Sequence, residues 1–81
     1  MPVVLRYNSY RFFFFSNEGE PREPAHIHVR LGESIAKFWL LPEIRLADNY
    51  GFTTGQLREL YGVIVENREL IARKWDEYFV S

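Results

Sequence analysis

His26-Ile27-His28-Val29-Arg30-Leu31, then Gly32-Glu33, then Ser34-Ile35-Ala36-Lys37-Phe38-Trp39-Leu40-Leu41 is an alternating polar and apolar limb, a glycine turn and an apolar, aromatic return. Alternation at period two marks a strand with one buried face, because successive side chains of an extended chain point to opposite sides. A glycine-containing pair between two such runs marks a hairpin. Pro42 ends the returning limb, since it has no amide to donate to a ladder. Upstream, Val3-Val4-Leu5-Arg6-Tyr7 and Tyr10-Arg11-Phe12-Phe13-Phe14-Phe15 flank Asn8-Ser9 and predict a second antiparallel hairpin. Downstream, Glu43 to Asn49 adds a short edge strand before Tyr50-Gly51-Phe52, where Gly51 supplies the positive φ of a tight bend.

Between the hairpins, Asn17 to Ala25 sets Gly19, Pro21 and Pro24 among Glu18, Glu20, Arg22 and Glu23 with no apolar period, and reads as an exposed, mobile loop. After Phe52 the period changes. Leu57, Leu60, Tyr61, Ile64, Leu70, Ile71, Trp75, Tyr78 and Phe79 recur at spacings of mostly three and four, behind Thr53 or Thr54 as N-cap. This predicts an amphipathic helix, either one piece of about 25 residues or two broken near Asn67, which would cap the second. Trp75 and Tyr78 are its core anchors, and Arg73-Lys74 near its end suit the helix dipole. The expected fold is α+β: an antiparallel sheet of four strands from two hairpins, or five with the edge strand. One long C-terminal helix, or two shorter ones, then packs on one face.

The chain of 81 residues is expected to form a single domain over 1–81, because a chain of this size buries only about 60% of its unfolded surface. A hydrophobic share of 47% and an aromatic share of 17% exclude the disordered class. The lack of cysteine excludes disulfides, thiolate chemistry and sulfur-ligated metals, and with no signal peptide in view it predicts a cytoplasmic setting. The longest apolar run, Phe12 to Phe15, falls far short of the ~18 residues a membrane span requires, so no membrane association is expected. A net charge of −1 rules out a global basic field.

One helix about 10 Å wide covers one side of such a sheet, leaving the other for water or a partner. Alternation sets His26, His28 and Arg30 against Ile27, Val29 and Leu31, the apolar trio being core. The same rule groups Val4 with Arg6, Arg11 with Phe13 and Phe15, and Lys37 with Trp39. The first four strands carry Arg6, Arg11, Arg30 and Lys37 and no acidic residue, so the expected open face is basic, aromatic and histidine-bearing. Three readings compete for it. Aromatics and arginine are enriched at interfaces, which suits a protein partner or a homodimer. Rings and cations together suit single-stranded RNA. A second helix, made by a break near Asn67, would instead cover the face.

His26 and His28, two residues apart on one strand, point the same way with Cβ atoms about 6.5–7 Å apart, which permits a shared metal ion or phosphate. Further metal ligands would come from loop carboxylates such as Glu18, Glu20 and Glu23. Acid–base chemistry on RNA would cast His26 and His28 with Arg30 and Arg11, moving the 2′-hydroxyl proton and steadying the phosphorane. GxGxxG, P-loop, HExxH and nucleophile-elbow motifs are absent, so nucleotide-dependent and hydrolase templates find no anchor, and apart from that metal ion no cofactor is expected.

Five strings in order, Arg11-Phe12-Phe13-Phe14-Phe15-Ser16-Asn17-Glu18, Pro24-Ala25-His26-Ile27-His28-Val29, Ala36-Lys37-Phe38-Trp39-Leu40, Asn49-Tyr50-Gly51-Phe52 and Trp75-Asp76-Glu77-Tyr78-Phe79, span nearly the whole chain. On them the chain resembles the small bacterial proteins grouped as domain of unknown function 4160. The resemblance implies no activity. Members often look like one half of a two-gene cassette similar to toxin–antitoxin pairs, which implies a protein partner encoded nearby. Where members often show Pro-Pro before the first histidine, this chain has Pro24-Ala25. The expected function is an intracellular binding protein of such a pair, using the basic aromatic face for its partner. The alternatives are an RNA-binding or RNA-cleaving toxin working through His26 and His28, and a metal-binding module on the same two residues.

Overall fold

Hairpin one closes at Asn8, which takes a φ of 53°, and hairpin two at Gly32, with a φ of 60°; both lie in the left-handed region that asparagine and glycine tolerate best. The computed structural model describes residues 3–15 and 24–79. The strands are β1 (Val3–Tyr7), β2 (Tyr10–Phe13), β3 (His26–Leu31), β4 (Ser34–Trp39) and β5 (Arg45–Tyr50). They form one sheet in the order β1-β2-β3-β4-β5, with antiparallel neighbours throughout. The fold is therefore the expected α+β one, in its five-stranded form. β2 and β4 stop earlier than Phe15 and Leu41, although a bond from Leu40 N to the Ala25 carbonyl (2.8 Å) extends the β3–β4 pairing by one step.

Two helices follow, α1 (Thr54–Glu66) and α2 (Arg68–Phe79). Thr53 is the N-cap of α1: its hydroxyl accepts from Gln56 N (3.1 Å) while the Gln56 side chain accepts from Thr53 N (2.9 Å). Each bond satisfies an amide that the helix start would leave orphaned. The break at Asn67 works the other way round from the expected cap. Its side-chain amide donates back to the Val63 carbonyl (2.8 Å), serving the helix it ends, and only its backbone carbonyl, accepting from Ile71 N (3.0 Å), starts the next.

Phe12, Ile27, Val29 and Phe38 on one side of the sheet meet Leu60, Val63 and Ile64 of α1 and Ile71 and Trp75 of α2. Burying each large apolar side chain of this kind contributes about 1.5–3 kcal/mol. Ile27 and Val29 are core, as alternation requires, and Leu31 packs partly buried against them. Tyr10 also lies on this side. Burial, and then the carboxylate of Glu59 to which its hydroxyl donates (3.4 Å), raise its pKa above the ordinary phenol value. Asn49 pins the bend after β5, donating to the Phe52 carbonyl (3.1 Å) and accepting from Phe52 N (3.2 Å). Gly51 sits there at a φ of 96°, where a Cβ would come within 2.5 Å of the Ser34 hydroxyl oxygen. Among the described residues no helix is long and apolar enough to cross a membrane.

Candidate functional site

Residues paired directly across strands share a face, so the ladders map the side of the sheet opposite α1 row by row. One row runs Arg6, Arg11, Arg30, Ile35 and Tyr50 across β1 to β5. The next runs Val3, Phe13, His28, Lys37 and Asp48, and a third sets His26 beside Trp39 and Arg45. Phe15, beyond the end of β2, lays its ring 4.4 Å from that of His28 and 5.2 Å from that of Phe13. Arg6, Arg11, Phe13, Phe15, His26, His28, Arg30, Lys37 and Trp39 thus come together on one side.

Val4 does not join them. A register shift between Val3 and Leu5 puts Val3, not Val4, opposite Phe13, and Val4 packs against the core. An extra residue in one strand reverses the side-chain parity beyond it, and alternation counted from the sequence cannot see that. A second shift, between Lys37 and Phe38, leaves Ala47 as the extra residue of β5 and returns Asp48 to the row of Lys37. β5 therefore brings Arg45, Asp48 and Tyr50 to this side. Sequence reasoning missed them because the edge strand was placed only loosely, at Glu43 to Asn49.

The expectation of an open, histidine-bearing face requires correction. His26 is fully buried and His28 is only 9% exposed, with Phe13 at 4%. α2 supplies one cause: the Trp75 ring lies 5.0 Å from the His26 ring, with Trp39 at 5.5 Å on β4 and His28 at 5.4 Å. Phe13 stacks on His28 at 5.7 Å, with the ring planes 26° apart. His26 Nδ1 lies 2.8 Å from the Pro24 carbonyl, an acceptor, which assigns the proton to Nδ1. The second helix foreseen in the third reading does form after the break near Asn67, but its buried Ile71 belongs to the core on the α1 side, and its reach to this side is the Trp75 ring against His26.

The arginine end stays open. Arg6 and Arg11 are exposed, while Arg30, Lys37, Trp39 and Phe15 are half-buried. Lys37 Nζ lies 4.4 Å from the centre of the Trp39 ring, a cation–π contact. Val3, Arg11, Phe13 and Arg30 line a depression of about 240 Å³. Arg30 Nε is buried with no hydrogen-bond partner among the described residues. The ion pair within the described residues, Lys74 with Glu77 (3.9 Å), is on α2 and neutralises no guanidinium of the row.

No group of three or more histidine, aspartate or glutamate side chains is placed to hold a metal among the described residues. Glu18, Glu20 and Glu23, the carboxylates expected as further ligands, lie outside them, as does most of the loop from Asn17. A larger cleft of about 620 Å³ lies elsewhere, between the segment after β4 and the junction of the helices, where Leu41, Tyr61 and Val65 are exposed.

No curated protein and no solved structure matches the chain. A family model described as a domain of unknown function (DUF4160) matches residues 9–76, well over half of its length, and the chain belongs to that family.

Proposed function

As a member of a family with no assigned activity, this chain, we propose, is a binding protein that docks a protein partner on the arginine end of its open sheet side. One observation carries the reading: Arg6, Arg11 and Arg30 stand side by side on three neighbouring strands with no carboxylate paired to them among the described residues. Like charges directly opposite one another weaken a sheet, by roughly 0.2–1 kcal/mol per pair. A partner bearing negative charge turns that repulsion into attraction, and it would steer encounter as well.

The alternatives lean on the imidazoles. Acid–base work on RNA needs them within hydrogen-bond reach of a substrate, about 2.6–3.2 Å. A fully buried His26 beneath Trp75 favours a packing role, so we place partner binding ahead of RNA cleavage and of metal binding. The partner we propose is the product of the neighbouring gene in a toxin–antitoxin-like pair, an arrangement the family resemblance implies. Support would come from calorimetry of the two purified proteins: a 1:1 or 2:2 complex whose affinity falls at least about tenfold in Arg11→Glu, the scale of one lost charge-assisted contact. An affinity untouched by Arg11→Glu and Arg30→Glu would overturn the reading. Metal-independent RNA cleavage abolished by His26→Ala and His28→Ala would replace it.

A further inference from the structure

Resting on that reading, we propose that Arg11 and Arg30 form a carboxylate-binding site, and that the partner fills it with an Asp or Glu side chain of an acidic peptide segment. Four observations converge on it. Arg11 and Arg30 are direct cross-strand partners, so their guanidinium groups rise from the same row one strand spacing apart. They line, with Val3 and Phe13, a depression of about 240 Å³. Arg30 is half-buried with its Nε already withdrawn from water and without an acceptor among the described residues. The floor is apolar, since Phe13 is buried there.

The Arg30 guanidinium has thus lost water at Nε without gaining a counter-charge among the described residues. An anion entering the depression meets a charge partly desolvated in advance, with an apolar floor that strengthens the attraction. Arginine offers planar, forked donors that match the two oxygens of a carboxylate, and two forks from adjacent strands hold it from two sides. Arg6, exposed one strand further out, extends the positive row for a second acidic residue of the same segment.

A phosphate of single-stranded RNA presents similar oxygens, and the rings decide against it. Single-stranded RNA is held by bases stacking on free aromatic faces. Beside the site, Phe13 is buried and stacked on His28, and Lys37 occupies Trp39. Tyr50, the exposed ring of the arginine row, stands two strands from Arg30 on β5.

The test is a titration of the full, isotope-labelled chain with a hexaglutamate peptide and, separately, with a uridine hexanucleotide, following arginine Nε–H resonances. Hexaglutamate is expected to shift Arg30 and Arg11, and Arg30→Lys, which keeps the charge but loses the fork, to bind it at least about fivefold more weakly. Arg45→Lys, on the same side but outside the site, is expected to bind as the parent does. Arg11→Lys, at an exposed position, repeats the comparison should Arg30→Lys unfold. Equal binding by Arg30→Lys and Arg11→Lys would overturn the forked site while leaving the charged docking row standing. Tighter binding of the hexanucleotide, lost in Tyr50→Ala, would overturn it in favour of RNA. Absence of hexaglutamate shifts at Arg11 and Arg30 would overturn it outright, whereas the docking row itself fails only if the partner's affinity ignores Arg11→Glu.

Discussion

The two ends of one sheet side have opposite fates although β3 runs through both. At one end His26, Trp39 and Trp75 close on one another until the imidazole is fully buried; at the other, Arg6 and Arg11 stay in water and Arg30 is only half-covered. Part of the difference lies in α2, whose Trp75 ring rests against His26, and part in Phe15, whose ring rests against His28. Asn67 ends α1, its side chain donating back to the Val63 carbonyl, and Trp75 of the helix that follows lies against the histidine end. Polar residues on a strand thus need not make a working surface: imidazoles at one end are packed away, while the arginines at the other stay within reach of the proposed partner.

Trp75→Ala should separate the two ends most forcefully. It removes a buried ring that touches Phe14, His26 and Phe79, at a cost of about 3–5 kcal/mol. In a domain this small, that lowers the melting temperature by well over 10 °C, as calorimetry or denaturant titration would record. A loss below ~1 kcal/mol would mean that α2 does not seal the histidine end. His26→Ala is expected to follow, at about 2–3 kcal/mol, since it leaves a cavity and deprives the Pro24 carbonyl of its donor. The contrast breaks if His26→Ala melts like the parent yet loses its partner.

Smaller effects sharpen the contrast from outside both ends. Gly51→Ala forces a side chain into a φ of 96° and against Ser34, for about 1–3 kcal/mol of destabilisation. Gly62 lies within α1, and a methyl group there would meet nothing within 4 Å, so Gly62→Ala should stabilise the fold by about 0.5–1 kcal/mol. Arg6→Gln and Arg11→Gln should leave stability within about 0.5 kcal/mol of the parent, or raise it slightly as the row's repulsion is relieved, while weakening the partner.

Most of the scaffold was legible locally. Both hairpins, the bend at Gly51, the Thr53 cap and the break near Asn67 follow from residues that favour those geometries whatever their surroundings. Alternation also placed the strand residues of the predicted site, from Arg6 to Trp39, with Phe15 beside them, on the side where they stand. Burial was not legible, because polarity says which way a side chain points and nothing of what lies on top of it. Val4 and Asp48 escaped for another reason: bulges at β1 and β5 shift parity by one residue, and no local pattern in Val3-Val4-Leu5 or Leu46-Ala47-Asp48 announces them.

The most direct test maps the partner's footprint on the labelled chain by NMR, reading arginine Nε–H and imidazole signals in one experiment. Arg6, Arg11 and Arg30 are expected to shift on complex formation while the His26 ring, buried under Trp75, keeps its free-state signals. A footprint on the His26 and His28 rings with the three arginines unmoved would contradict the division of the sheet into a structural end and a docking end.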